Sequence, residues 1–427
     1  MVNMTAAIAF GVMATALIGF AGLATEGGAW YLARREAQTA ADTAAQAGAI
    51  AVAFGRDAVA AARETSARNG FSDGAGGTRV IVNRPPLSGL NAGNTRAVEV
   101  IVERELPLQL ASLFLDRRAT VRARAVATAL TIDSGTACVL ALGRAGGALT
   151  QESDLEAGGT ATVNAPNCSL ASNTSIRQFG TASVNAYTMS AVGTIEIGCE
   201  ENVTLQRPAA SFQPPIPDPF APDVPGTGIP LPEPTGTCTQ TNYTVGSNAR
   251  ATMSPGRYCG RVRLAGTVTM TPGVYVIQNG NLEVNAQANI SCPSCSPGQG
   301  VTFVFTGNPR MVGGPRINGG ATINLIGGSG IYRGILMYQD PRAASGNDVT
   351  LNGGAGITTQ GLFYFPSADL RINGNFGGVN STCKAFIAES IELVGTTTQT
   401  IAVDGCGALG LDPRNDLPQI RVVRLVE

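Results

Sequence analysis

Apolar residues follow three successive textures along this chain. Residues 4 to 24, MTAAIAFGVMATALIGFAGLA, contain no charged side chain, enough to cross a hydrocarbon core of about 30 Å as a helix. From 29 to 69, small apolar positions recur among Arg34, Arg35, Glu36, Asp42, Arg56, Asp57, Arg63 and Glu64. Alanine supplies helix propensity at nearly every turn there. RAVEVIVERELP then sets Val98, Val100 and Val102 against Glu99, Ile101 and Glu103, the period-2 alternation of a half-buried strand. PLQLASLFL, residues 107–115, reads as a short amphipathic helix, and ATVRARAVATAL alternates again, with Val121, Ala123, Ala125 and Ala127 opposed to Arg122 and Arg124.

From about residue 137 the runs shorten to a few β-prone residues, each ended by Gly, Asn or Pro, as in GGTATVNAP, INGGATINLIGG and NDVTLNGGAGITTQGLFYFP. Strands this short and frequent suggest the coils of a solenoid. In ATINL, Ala321, Ile323 and Leu325 face inward while Thr322 and Asn324 face out. The expected architecture is a right-handed parallel β-helix; an ordinary β-sandwich, with longer strands between its turns, is the alternative. Residues 207–236, RPAASFQPPIPDPFAPDVPGTGIPLPEPTG, are too rich in proline to join a strand stack, because proline removes the ladder donor and fixes the backbone angle. They form either an extended linker or a loop along the side of the solenoid.

Composition narrows the chemistry. Charged residues make up 14% of the 427, the formal net charge is -1, and no basic tract appears, so the electrostatic footprint of a nucleic-acid binder is missing. With no histidine, and Lys384 as the sole lysine, the usual neutral-pH base, the commonest metal ligand and most Schiff-base chemistry are gone. No cofactor or metal site is expected. The nine cysteines all lie beyond the first quarter of the chain and read as a disulfide-bearing exported region. Pairing Cys138 with Cys168, Cys238 with Cys259, Cys292 with Cys295, and Cys383 with Cys406 leaves Cys199 over, although spacing alone fixes no connectivity. Cys292 to Cys295, CPSC, sits in a Pro- and Gly-rich turn and reads as a structural loop, with a redox motif or half a zinc site as the alternative.

The apolar segment lacks the basic n-region of a signal peptide and is longer than the usual apolar core of one, which favours retention, although AGLA resembles a cleavage site. Ala7, Gly11, Thr15 and Gly19 fall at i, i+4, i+8 and i+12, a small-residue stripe of the kind that lets membrane helices approach closely. Arg34 and Arg35 alone would keep the following chain inside the cell. Cysteine usage and the β-rich bulk point the other way.

AAIAFGVMATALIGFAGLATEGGAWYLARREAQTAADTAAQAGA resembles the N-terminal segment of TadG-like proteins (the TadE/TadG family) of the Flp, or Tad, type IVb-related pilus-assembly machinery. Gly22, Leu23, Glu26, Tyr31, Leu32, Arg34, Arg35, Gln38, Ala40, Ala41, Asp42, Ala44, Ala45, Ala47 and Gly48 occupy the family's positions. The chain starts almost at the helix, where family members carry a short basic leader, and Thr5 stands where true pilins carry a glutamate. That substitution argues against ordinary entry into the fibre shaft and for an accessory role. MSPGRYCGRVRLAGTVTMTPGVYVIQNGNLEV, YRGILMYQD and LFYFPSADLRING are similar to the β-helical portion of many TadG-like proteins.

The expected organisation is a transmembrane helix (1–25), a helical stalk (26–70), a small α+β pilin-like module (71–132), a first β-solenoid part (137–206), the Pro-rich segment (207–236) and a main β-helix region (237–427), mainly β with an N-terminal helix. The resemblance implies a non-enzymatic structural component of the pilus apparatus. It would sit in the bacterial inner membrane as a single-pass protein in contact with lipid, its bulk in the periplasm or reaching the surface or pilus. The expected partners are other pilus-assembly proteins and minor pilins, met through Ala7, Gly11, Thr15, Gly19 and the 26–49 stalk, with Gly27-Gly28 as a candidate hinge. Two other functions are open. A surface adhesin, binding a glycan or envelope partner through an aromatic platform of Tyr332, Tyr338, Phe363, Tyr364 and Phe365, requires those rings to be exposed; a carboxylate-dependent polysaccharide-degrading enzyme requires Asp340, Asp348, Asp369, Glu389, Glu392 and Asp404 to cluster.

Overall fold

The computed structural model describes residues 2–108, 118–143, 153–328, 330–354, 356–374, 381–396 and 398–427; of 2–12, 14–19, 21, 23, 129–134 and 421–422 it describes the backbone alone. The segment expected to form the 107–115 helix lies mostly outside these residues. The chain forms two compact units, one of residues 1–130 with 421–427 and one of residues 131–420.

In the first unit a helix, α1 (Val2–Ala53), is followed by α2 (Ala58–Arg68), whose Asp57 side chain accepts hydrogen bonds from the amides of Val59 and Ala60 and caps its start. Strands β1 (Thr78–Asn83), β2 (Ala97–Leu106) and β3 (Ala119–Ala141) form an antiparallel meander, with Val82 opposite Val100 and Val100 opposite Ala125. The face of α1 carrying Ala37, Ala40, Ala41, Ala44, Ala45 and Ala49 is buried in one core with Val98, Val100, Val102, Ala123 and Ala125. Small side chains let the helix backbone lie close to the sheet. At Gly48 a Cβ would stand 2.8 Å from Val98 Cγ1, so the closest point of approach admits no side chain. The glycine pair expected as a hinge does not break the helix: α1 continues through Gly27 and Gly28, at a propensity cost of about 1 kcal/mol each relative to alanine.

The second unit is a large, curled, parallel sheet. Its strands pair with those three further on, so that three strands make one turn: Arg250–Met253 pairs Thr267–Met270, which pairs Asn289–Ser291, which pairs Thr322–Ile326. The ladders between its named strands are parallel, which excludes the antiparallel sandwich. Inward positions are aliphatic or aromatic and nearly all buried. Asparagines stack between register partners on neighbouring strands, with Asn185 Nδ2 donating to Asn164 Oδ1 and Asn373 Nδ2 to Asn352 Oδ1, both at 3.0 Å. Backbones meet closely between turns, and a Cβ on Gly280 would lie 1.9 Å from the Gly260 oxygen.

The order of turns in space is not their order in sequence. Strand Lys384–Val394 pairs in parallel with the earlier residues 139–141 and 155–157, Phe386 opposite Val139 and Ile391 opposite Leu155. The turns of residues 137–206 therefore continue the stack beyond residue 384. Its two ends are the turn of Met189–Ala191, Ile195–Ile197 and Val203–Leu205 and the turn of Gln240–Thr241, Thr244–Val245 and Arg250–Met253. Residues 207–236 join these opposite ends. About nine steps of roughly 4.8 Å make a stack of ~43 Å, while an extended proline-rich chain covers ~3.1 Å per residue, so the segment has length to spare.

It runs along the side of the sheet as a strap, anchored by stages. Asn173 Nδ2 donates to the Ile216 oxygen and Asn173 Oδ1 accepts from its amide at 2.8 Å, Tyr364 donates to Asp218 at 2.6 Å, Arg342 reaches the Pro232 oxygen, and Arg257 the Glu233 oxygen. Ile216, Phe220 and Ile229 are buried. Backbone groups that cannot enter a ladder are thus satisfied by side chains and turns.

Eight of the nine cysteines form Cys138–Cys168, Cys238–Cys259, Cys292–Cys295 and Cys383–Cys406; Cys199 is free. The CPSC segment is a disulfide-closed turn in this structure.

Candidate functional site

The residues of the N-terminal motif fall into two sets on α1. One set faces the sheet: Ala40, Ala41, Ala44, Ala45 and Gly48 are buried against the meander, and Gln38 Nε2 donates both to Asp42 Oδ1 at 2.7 Å and to the Arg124 backbone oxygen at 3.1 Å. The repeated Ala-Ala spacing is therefore an internal docking face, already covered by the chain's own strands. The other set faces away. Tyr31 and Leu32 are 62% and 59% exposed, Arg34, Arg35 and Glu36 are exposed, and the Arg35 guanidinium lies 6.0 Å from the Tyr31 ring. Phe20, about three turns before Tyr31, is 71% exposed and Met13 65%. Glu26 between them is buried. The Tyr31 side of the 26–49 helix is thus exposed, and its alanine side is covered by the chain's own strands.

Ala7, Gly11, Thr15 and Gly19 are helical in backbone, and their side chains lie outside those described. Among the described residues no helix is long and apolar enough to cross a membrane; most side chains of 4–24 are outside that set.

Behind the exposed helix face, the meander is locked by a charged network that alternation did not reveal. Glu99, expected on a solvated face, is 1% exposed. Its carboxylate accepts from Arg124 Nε at 2.6 Å, Asn83 Nδ2 at 2.7 Å and the Leu87 amide at 3.2 Å. Arg124 also binds Glu427 at 2.7 Å and the Ser88 oxygen at 2.7 Å, and Glu427 accepts from the Asn91 amide at 2.9 Å. The 84–96 loop is folded over this face, which is why Glu99 is buried. Burial alone would push the Glu99 carboxyl up, but the hydrogen bonds from Asn83 and Arg124 outweigh it and hold it below its ordinary value.

The sequence-level alternatives fare differently. Tyr332, Tyr338, Phe363, Tyr364 and Phe365 are all buried, so they form no exposed aromatic platform. Phe363 stacks on Phe386 at 5.1 Å inside the sheet, while Tyr338 and Tyr364, stacked at 5.0 Å on the alternate face, are covered by the strap, with Phe220 edge-on to Tyr364 at 5.6 Å. The row exists, but the chain's own proline-rich segment occupies it. Where the strap packs on the sheet, burial pushes the Asp218 carboxyl up.

Of the candidate carboxylates, Asp348 and Asp369 are register partners on neighbouring strands, while the others are held by separate partners. Asp340 is buried and accepts from Thr306 Oγ1 at 2.7 Å and Arg342 Nε at 2.9 Å, Asp369 accepts from Ser390, Glu392 pairs with Arg371 at 3.4 Å, and Asp404 accepts from Asn167. Asp348 is exposed and Glu389 buried. Lys384 is buried, and burial lowers its amine to about 8. Among the described residues no group of three acidic or cysteine side chains is placed to hold a metal ion.

A long helix lies by its alanine face on a three-stranded antiparallel meander, and in chain order the disulfide-bonded parallel sheet falls between β3 and the closing residues 421–427. Residues 5–53 of this chain match the family model described as "Putative Flp pilus-assembly TadE/G-like". No curated protein and no solved structure matches the chain. The matched segment suggests involvement in Flp pilus assembly, alongside other pilus components.

Proposed function

We infer that this protein is a non-enzymatic, membrane-anchored structural component of a Flp pilus-assembly apparatus. Residues 4–24 serve as a single-pass anchor in the inner membrane, the remaining bulk lies in the periplasm, and the parallel sheet winds as a right-handed β-helix. The observation that carries the reading is the TadE/G-like match over 5–53 on a helix whose alanine face is internally docked and whose Tyr31–Leu32 face is free of the fold. The disulfides support an oxidising compartment. The uncharged 4–24 stretch supports the anchor, and the stripe Ala7, Gly11, Thr15 and Gly19 is the surface assigned to helix contacts within the bilayer.

Replacing Gly11 and Gly19 together with leucine tests this assignment. The double variant is expected to insert normally in membranes and to lose co-purification and crosslinking with the other pilus proteins. Unchanged association with normal insertion would move the contact away from the membrane helix.

A further inference from the structure

The two ends of the stacked sheet differ in a way that makes each the complement of the other. At the first end, Ile195–Ile197 and Val203–Leu205 pair on one side only among the described residues, with Ser175–Gln178 and Ser183–Ala186. The third strand of that turn, Met189–Ala191, has its edge closed by the strap, through the Ser190 to Ala210 bridge. Ile195, Ile197, Val203 and Leu205 are only half-buried, whereas their register partners one turn inward, Ile176 and Val184, are 2% and 1% exposed. The turn thus keeps inward-type side chains with nothing stacked beyond them among the described residues. At the second end, Thr244–Val245 and Arg250–Met253 pair on one side only among the described residues, with Val245 and Met253 buried and Ala251 half-buried.

Charge separates the ends. Glu196, Glu200 and Glu201 are exposed on the first, against Arg207 alone of opposite sign; Arg250, Arg261 and Arg263 are exposed on the second, against Glu233. A charge ladder connects them along the outer face of the sheet. From Thr244 and Arg263 at the second end it passes through Glu283, Arg316, Thr350, Arg371, Glu392, Glu156 and Arg177 in successive register to Glu196, which ends it. Arg371 to Glu392 and Arg177 to Glu156 are ion pairs at 3.4 and 3.8 Å. Charges that merely blunt a strand edge need no opposite sign at the other end of the stack.

We propose that the parallel-sheet unit docks head to tail on a second copy of this chain, the Glu196 end of one copy meeting the Arg250 and Arg263 end of the next. The open edges have the same polarity and phase. Ile197 falls over Val245 and Glu196 over Thr244, one rung from Arg263. Inward residues meet inward residues, and the outer ladder continues across the junction. The contact uses two different surfaces, so it is heterologous and builds a row of copies rather than a closed pair. It depends on the ends of the sheet alone and not on where the protein is anchored.

The test uses the full chain in detergent, measured by sedimentation velocity over a concentration and salt series. Wild type is expected to grow in size with concentration and to shrink with added salt. Glu196→Arg/Glu200→Arg/Glu201→Arg and Arg250→Glu/Arg261→Glu/Arg263→Glu are each expected to associate roughly tenfold more weakly or less. Mixed one to one, the two variants are expected to associate again, since each supplies the end the other now complements. A wild type that stays monomeric, an association indifferent to salt, or one that survives both reversals, as contact through α1 would, overturns the proposal. The salt series on wild type reads the contact even if a triple variant fails to fold.

Discussion

At the scale of single residues, the most heavily committed group in the first unit is Arg124, which ties β3 to β2, to the 84–96 loop and to Glu427. Arg124→Ala leaves Glu99 buried and stripped of its cation, so a loss of about 3 kcal/mol is expected, with Arg124→Lys recovering part of it; chemical denaturation measures both. Because the folded Glu99 carboxyl sits below its ordinary value, its contribution is present above that ordinary value near pH 4 and is lost as pH falls through the depressed one. The variant's deficit is therefore expected to narrow in acid. Asp218 has the opposite sign. Its folded value is raised by burial, so the ionised form is disfavoured where the strap packs on the sheet, and stability falls as pH rises through that value. Asp218→Asn keeps an acceptor for Tyr364 and removes the charge. It is expected to melt at or above the wild-type temperature at pH 8, the gap closing as pH falls; lower melting throughout would mean that the carboxylate itself stabilises the strap.

At the scale of elements, two readings of one alanine pattern meet on α1. Alanine density marked residues 29 to 69 as helical, and that much of the fold was legible, as were β2 and β3 from alternation at Val98 to Val102 and Val121 to Ala127. What periodicity does not carry is the identity of the surface that covers a face. Here it is the chain's own meander, approached so closely at Gly48 that a side chain has no room. Glu99 was hidden for a related reason: alternation marks a face as polar, and the loop that buries it leaves no periodic trace. The strap is a similar case. Proline density showed that 207–236 joins no ladder, but nothing local says that Phe220 and Asp218 come to rest on Tyr364. Phe220→Ala removes a buried ring worth about 3 kcal/mol or more of local docking. Limited proteolysis of that variant is expected to cut within 207–236 well before wild type is cut, with the rest of the second unit left intact by its disulfides.

At the scale of the whole molecule, short strands ended by Gly and Asn made a stacked parallel sheet legible, while the order of its turns was not. That order rests on Val139 pairing with Phe386 across some two hundred and fifty residues, a contact that short-range pattern cannot encode. The same order makes the strap necessary, since a stack entered in its middle must return from one end to the other. The proposed function rests on the other unit, where α1 turns its alanines inward and leaves Tyr31 and Leu32 exposed. The most direct test places a photo-crosslinking amino acid at Tyr31 or Leu32, and for comparison at Ala41, in cells carrying the other pilus components. The account predicts crosslinks to other pilus proteins from positions 31 and 32 and only intramolecular products from 41. Partner crosslinks from 41, with none from 31 or 32, would show that the alanine face leaves the meander to bind, and would contradict it.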